Sequence, residues 1–181
     1  MILKGEKIFL RPVEMKDIDS LMLINTEEVR EYLQLVHPIN EVSERKWLET
    51  LYSPSANQIV LAIVPQGRDE PVGTTGFHAI NWVDRNAEFG IVIFNTSYWN
   101  RGVGTEATHL MLRYGFEHLN FHRIHLRVYE YNKRAMHVYE KCGFTVEGRM
   151  RQARCKHGKY HDVLMMSILS DEYFSSLQAE P

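Results

Sequence analysis

The chain of 181 residues carries only two cysteines, Cys142 and Cys155, with no CxxC pair and no even framework of several. A disulfide scaffold is thereby excluded, and free thiols in a reducing compartment are expected. No apolar run approaches the ~18 residues that a membrane helix requires. Met1 to Val13 lacks the basic start, apolar middle and small-residue cleavage site of a secretory leader. These absences predict a cytoplasmic protein without membrane contact. Neither charge sign is in excess: 21 Lys and Arg face 23 Asp and Glu, a formal net charge of -2. Duplex-binding domains usually show a basic surplus, so nucleic acid is not an expected partner, while a cationic substrate stays open. Linkers rich in Pro, Gly or Ser, repeats and low-complexity blocks are also missing. A single domain over residues 1–181 follows.

Metal-ligand spacing is missing as well. Nine histidines are present, but none falls in an HExxH pattern. His122 and His125 differ by an odd number on a predicted strand and so point to opposite faces, and His157 and His161 flank a turn. No metal site is expected.

What is present is a change of hydrophobic period along the chain. Lys7 to Val13 reads as a short strand ended near Pro12. Ile18, Leu21, Met22 and Asn25 share a helical face behind Asp17 and Asp19, a second helical stretch runs from Glu27 to Leu35 before Pro38, and a third from Ser43 to about Tyr52. Gln58 to Val64 is a dense β-branched run suited to a central strand. Pro71 to Ile80 and Ala87 to Phe94 are two more strands, joined by a hairpin turn from Asn81 to Asn86. Thr105 to Leu119 is helical, with Ala107, Leu110, Met111 and Tyr114 in one stripe. A strand over Arg123 to Val128, a helix over Asn132 to Lys141, and strands near Phe144 to Arg154 and Tyr160 to Leu169 complete the chain. This order predicts an α/β (α+β) domain around a mixed sheet.

The stretch Tyr98-Trp-Asn-Arg-Gly-Val-Gly-Thr-Glu-Ala107 lies between a strand and an amphipathic helix. Gly102 and Gly104 let the chain turn tightly and bring backbone N–H groups close to an anion. The helix start adds unpaired N–H groups and the positive end of its dipole. Strand, Gly-rich turn and helix N-terminus together suit a phosphate. The turn lacks GxxxxGK[ST] and the third glycine of GxGxxG, which disfavours a nucleoside triphosphate or a dinucleotide. Taken alone, the two glycines could equally be helix-start punctuation.

A second segment, Asn132-Lys-Arg-Ala-Met-His-Val-Tyr-Glu-Lys-Cys-Gly-Phe144, reads NxxAxxxYxxxGF. In this order and spacing the two segments resemble the GNAT superfamily of N-acetyltransferases. The chain is similar to the branch of ribosomal-protein N-terminal and polyamine acetyltransferases, from Leu10-Arg-Pro12 to Tyr173. Glu147 to Arg151, Gly158 to Asp162 and Met166 agree with that branch. The resemblance implies a mostly antiparallel central sheet of about seven strands flanked by helices, with a V-shaped splay between the fourth and fifth strands. It also implies acetyl-coenzyme A as co-substrate, with its pyrophosphate on Asn100, Arg101, Gly102, Val103, Gly104 and Thr105. The pantetheine arm would lie along Ile91, Val92 and Ile93, and Asn132 would contact the coenzyme. Trp99 stands where many members carry Gln or Arg. The acceptor would be a small-molecule amine or a peptide N-terminus, and a homodimer is possible within the family.

The chemistry assigns further roles. An amine with a pKa near ~10.4 is more than ~99.9% protonated at pH 7 and must lose a proton before attack. Glu88, on the strand expected to flank the thioester and on one face with Gly90 and Val92, is the candidate base. Its alternative reading is a surface carboxylate paired with Arg85 or Arg123. The N–H of Val92 or Ile93 would stabilise the oxyanion. Tyr139 matches the family's general acid, which would protonate the departing thiolate; otherwise it is packing. Asn132 could also cap its helix.

Cys142 lies near the active region, but no adjacent base is evident to activate it, so a core position is expected. Tyr32, Trp47, Phe77 and Trp82 are candidates for a substrate cleft, for core or for dimer contacts. Arg149, Arg151, Arg154, Lys156 and Lys159 read as a solvated strand face first, and otherwise as a contact for the adenosine 3′-phosphate or an acidic partner. Adjacent acidic residues of the polyamine enzymes are replaced here by Leu33-Gln-Leu-Val-His37. A non-catalytic acyl-coenzyme A sensor and a nucleotide-binding module stand as the competing functions.

Overall fold

A residue in a strand sends its side chain opposite to its neighbour's, and β3 (Ile59–Pro65) shows what this does for the whole domain. Leu61 and Ile63 enter one apolar core, whereas Ala62 and Val64 enter a second on the other face of the sheet. The computed structural model describes residues 2–35, 37–52 and 57–179. Around β3 it assembles β1 (Leu3–Lys4), β2 (Ile8–Pro12), β4 (Gly73–Asn81), β5 (Asn86–Ile93), β6 (Arg123–Tyr129), β7 (Thr145–Lys156) and β8 (Lys159–Leu169). The sheet runs β1-β2-β3-β4-β5-β6-β8-β7 and has eight strands, one more than expected, because β1 is a two-residue strand too short to leave a pattern.

Every neighbouring pair is antiparallel except β5 and β6, which are parallel and joined by a helical crossover. Their register holds for three pairs only, Asn86↔Arg123, Ala87↔Ile124 and Glu88↔His125. Beyond Glu88 the two strands part. This is the splay expected between the fourth and fifth strands, numbered one higher here because of β1.

Helix α4 (Val103–Arg113), a π-helical continuation (Tyr114–His118) and α5 (Lys133–Lys141) lie over the first core, where Ala107, Met111, Phe116 and Tyr139 meet Phe77 and Phe89. The second core lies under α1 (Ile18–Leu21), α2 (Glu27–Arg30) and α3 (Glu41–Leu51). A further helix, α6 (Ser170–Ala179), follows β8; sequence reading stops at the last strand. Its Tyr173 packs on Phe116 at 4.9 Å between centroids.

The region before α3 departs most from expectation. A single helix over Ile18 to Asn25 is not formed; two 3-10 turns, Met15–Asp17 and Met22–Asn25, bracket the four residues of α1. The helix expected to reach Leu35 ends as α2 at Arg30. Helix α3 starts before Ser43, because Asn40 caps it by accepting from the Ser43 N–H at 2.9 Å, and Ser43 Oγ accepts in return from the Asn40 N–H at 3.2 Å.

Asp17 explains the break. It is not a dipole-facing surface acid: it is 2% exposed and holds Arg11, itself 7% exposed, through two bonds of 2.7 Å. Its Oδ2 also accepts the Glu14 N–H at 2.8 Å. Asp17→Asn should leave a guanidinium buried without its counter-ion, a loss of about 3–5 kcal/mol. Urea denaturation with an unchanged slope would measure it, and a loss under about 1 kcal/mol would show that the pair does not hold this segment.

Candidate functional site

The parting of β5 and β6 opens a cleft of about 1030 Å³ that runs from the turn before α4 to the segment after α2. At one end lies the Gly-rich turn. Asn100 and Gly102 both adopt left-handed backbone, with φ of 58° and 80°. Gly102 is the N-cap of α4, whose first helical bond runs from the Glu106 N–H to the Gly102 carbonyl at 3.0 Å. The N–H groups of Val103, Gly104 and Thr105 therefore precede that first bond. The two glycines differ in role. Gly102 supplies the conformation, whereas a Cβ on Gly104 would meet nothing within 4 Å. The open space over Gly104 leaves room for an anion to approach the helix start, an arrangement that suits a phosphate group. Behind the turn, the Lys7 ammonium donates to the Arg101 carbonyl at 3.4 Å, and the Glu106 carboxylate accepts the Lys7 N–H.

The middle of the cleft is the unpaired stretch of β5. Trp99, unusual at its position, donates its indole N–H to the Ile93 carbonyl at 2.8 Å, so that carbonyl already has a partner. The Arg134 guanidinium covers the Trp99 ring at 3.6 Å and reaches Tyr32 at 5.2 Å, while Tyr32 meets Trp99 edge-on at 6.1 Å. Burial lowers the Arg134 pKa from its ordinary value. Asn132 caps α5, its side chain accepting the Ala135 N–H at 3.2 Å, and it lines the cleft as well.

At the vertex stands Tyr139. It is 7% exposed, and its ring meets Phe89, the first residue of β5 beyond the paired register, edge-on at 6.2 Å. Burial, with a smaller contribution from Cys142, pushes its phenol far above the ordinary range. Cys142 sits in the same packing, its thiol pushed up to about 12 by burial. Contrary to expectation a base does adjoin it, since His109 Nε2 lies 3.6 Å from the sulfur. The thiol is nonetheless buried and does not line the cleft, so it remains a core residue.

Glu88 lies on the opposite face of β5 from Phe89. It is paired with neither Arg85 nor Arg123. Arg127 of β6 grips it in a fork, Nε to Oε1 at 2.8 Å and an Nη2 bond to Oε2 at 3.2 Å. Arg123 is taken by Glu147. The far wall comes from the segment after α2, and the basic run of β7 holds it there. Arg154 donates to the Leu33 carbonyl at 2.9 Å, and Lys156 to the carbonyls of Arg30 at 3.3 Å and Glu31 at 2.7 Å. Lys156 also pairs with the Glu31 carboxylate at 2.9 Å, and Arg149 bonds Asp162 at 2.7 Å. Most of this run is therefore structural.

Ten of the twelve residues singled out from sequence line this one cleft: Glu88, Ile91, Val92, Ile93, Asn100, Gly102, Gly104, Thr105, Asn132 and Tyr139. Val103 points into the core, and Arg101 lies exposed with its guanidinium 5.8 Å from the Tyr98 ring. Of the four aromatics, only Tyr32 reaches the cleft. Phe77 is core, Trp47 lies on α3 and packs against the second core, and Trp82 is exposed beside Phe121. His78, Arg127, Tyr129 and Arg134 also line the cleft and were missed. Alternation hinted at two of them: Arg127 and Tyr129 interleave with the core residues Leu126 and Val128.

Comparison with known proteins identifies the family. The family model described as an acetyltransferase (GNAT) domain matches residues 7–145. The chain belongs to the GNAT acetyltransferase family. It is 32% identical over 173 residues to the spermidine N(1)-acetyltransferase of Escherichia coli K12, covering 94% of this chain and 90% of that one. YdaF of Bacillus subtilis, provisionally named a ribosomal N-acetyltransferase, is 26% identical over 178 residues, covering 93% and 94%. The crystal structure of the Vibrio cholerae spermidine N-acetyltransferase in complex with CoA and spermine superposes with a TM-score of 0.85 at 27% identity, covering 94% and 99%. This GNAT domain keeps the splayed sheet, with one helix start beside the opening.

The two turn glycines should separate experimentally. Gly104→Val, whose Cβ meets nothing, should keep the parent melting temperature yet weaken acetyl-coenzyme A binding at least tenfold by calorimetry. Gly102→Val should lower the melting temperature, because a β-branched residue is forced into left-handed backbone. Coenzyme binding by a folded Gly104→Val protein as tight as the parent's would refute the phosphate assignment.

Proposed function

We propose that this GNAT domain is an enzyme transferring the acetyl group of acetyl-coenzyme A to a primary amine, by direct attack within a ternary complex. The observation that carries the proposal is that one cleft joins the open helix start at Gly104 to Tyr139 and Glu88. Bound there, acetyl-coenzyme A supplies an activated thioester. The turn from Asn100 to Thr105 would take the pyrophosphate, and the unpaired edge of β5 at Ile91 to Ile93 would hold the pantetheine arm. An N–H of Val92 or Ile93 would donate to the thioester oxygen as negative charge develops.

Tyr139 is the general acid in this reading. A phenol raised by burial stays protonated at any physiological pH and is available to donate. The same burial favours the neutral form of a thiol expelled beside it, as the raised Cys142 thiol shows in the neighbouring packing. Glu88 is the carboxylate that assists loss of the amine's proton, at the end of the cleft away from the phosphate turn.

The relatives named for spermidine suggest a polyamine. The acceptor end of this cleft argues for a less cationic amine. Among the described residues that line it, the one carboxylate, Glu88, is forked to Arg127, Arg154 contributes another cation, and Glu31 is bound to Lys156 outside the cleft. Among these residues a polycation would find no free carboxylate. We therefore favour a monoamine or a peptide N-terminus. Amine-dependent release of free thiol separates an enzyme from a silent acyl-coenzyme A sensor.

Tyr139→Phe keeps the ring against Phe89 and removes only the hydroxyl. It should bind acetyl-coenzyme A as the parent does, shown by an equal rise in melting temperature with the ligand, while kcat falls at least ~10²-fold. Pre-steady-state thiol release guards against slow product release. A folded variant turning over within about threefold of the parent would remove Tyr139 from the chemistry.

A further inference from the structure

Glu88 is poorly placed to accept a proton as the sole base. Both its oxygens are held by the Arg127 guanidinium, and protonation would have to break that fork. A different side chain lies within the same cleft with a free role. His78 of β4 stands directly opposite Glu88 in the β4–β5 register, on the cleft face of the sheet, while its neighbour Phe77 turns into the core opposite Phe89. The imidazole reaches across β5. A Cβ on Gly90 would stand 3.2 Å from His78 Nε2, so the absence of a side chain at Gly90 makes room for the ring. Nε2 is thereby set against the strand residue that precedes Ile91 to Ile93.

We infer that His78 is a further catalytic residue, accepting the proton of the acceptor amine at Nε2, with Glu88 as the positioning charge that stabilises the resulting imidazolium. The inference rests on the acetyl-transfer reading of the cleft. In the balanced step, R–NH3+ gives one proton to Nε2 and becomes R–NH2. The nitrogen lone pair forms the C–N bond and the C–S electron pair leaves with sulfur. Tyr139 protonates that sulfur, and the nitrogen's second proton returns to the phenolate through water. His78 then releases its proton to solvent, so the sum is amide, free thiol and H+.

The surroundings suit a base that is neutral before substrate arrives. Burial, the larger effect, lowers the His78 pKa from its ordinary 6.5, and the Glu88 charge opposes it; no hydrogen bond is among the causes. On β5 the facing charged group is Glu88, and beyond it on β6 stand Arg127 and His125. The strand on the other side, β3, has no titratable side chain. Tyr32 is the titratable group of the α1–α3 layer that lines the same cleft. A lowered pKa leaves the imidazole unprotonated at neutral pH, and rates should fall as pH drops through that pKa.

The test measures pH–rate profiles with acetyl-coenzyme A and either spermidine or an unblocked tripeptide amide, whichever the parent acylates faster. His78→Gln should bind acetyl-coenzyme A with an unchanged melting shift, lose ~10²-fold in kcat/KM at neutral pH and lose the acidic limb. Glu88→Gln should keep the limb and move it to lower pH, because the charge favouring the imidazolium is gone. His125→Gln should keep limb and rate. His78→Asn serves in place of His78→Gln should the latter melt well below the parent. A His78 variant within threefold of the parent with the same limb, or a limb abolished in Glu88→Gln or His125→Gln, would overturn the assignment while leaving acetyl transfer intact. A parent that releases no thiol with either amine would overturn both the transfer reading and this one.

Discussion

Three paired residues between β5 and β6 determine the rest of the site. A parallel pair that continued to Ile93 would bury its peptide groups in a ladder, and the sheet would close. Stopping at Glu88↔His125 leaves the β5 edge without a partner strand and places Phe89 at the point of divergence. Phe89 is core on one face, and Tyr139 packs against it, as does Phe144 at 6.2 Å. The aromatic contact that stabilises the first core therefore also sets the phenol at the vertex of the opening. Packing and positioning are one interaction here: the amphipathic stripe of α5 that buries the ring also places the Tyr139 phenol in the cleft lining.

The opposite wall obeys a different logic. The segment after α2 has little helix to hold it: α2 has four residues, and the carbonyls of Arg30, Glu31 and Leu33 need partners from elsewhere. Lys156 and Arg154, projecting from β7, supply them. Cations at a helix C-terminus also meet the negative end of its dipole. Anchoring the wall in this way also brings Arg154 into the cleft lining, where Glu88 is already forked to Arg127.

Much of this was legible from local pattern. The dense β-branched run over β3, the glycines before α4 and the NxxAxxxYxxxGF segment each carry their signal within a dozen residues, and ten site residues expected from the two motif segments, the Ala87 to Phe94 strand and the family resemblance share one cleft. What was illegible depends on partners far apart in sequence. Asp17 looks like a helix-start acid until Arg11 is seen to need a counter-ion. Arg154 looks solvated until Leu33, 121 residues away, is placed beside it. The strand β1 and the breaks around α1 are shorter than any period can register. Cys142 and His109 are 33 residues apart, and no spacing rule brings them together.

Glu88 illustrates the same limit at the chemical level. Strand alternation correctly put it on the face with Gly90 and Val92, yet alternation says nothing about what lies across the neighbouring strands. Register does. Pairing of β4 with β5 sets His78 opposite Glu88, and pairing of β5 with β6 sets His125 opposite it, one step from Arg127 in the alternating series. Glu88 thus lies between two strand neighbours that carry imidazoles and is forked by a guanidinium, surroundings that no reading of β5 alone contains. Gly90 completes the logic. A Cβ there would crowd the His78 ring, so the glycine on β5 makes room for a histidine on the next strand. This side of the cleft is thus specified by pairing between strands, which a one-dimensional reading of either strand does not contain.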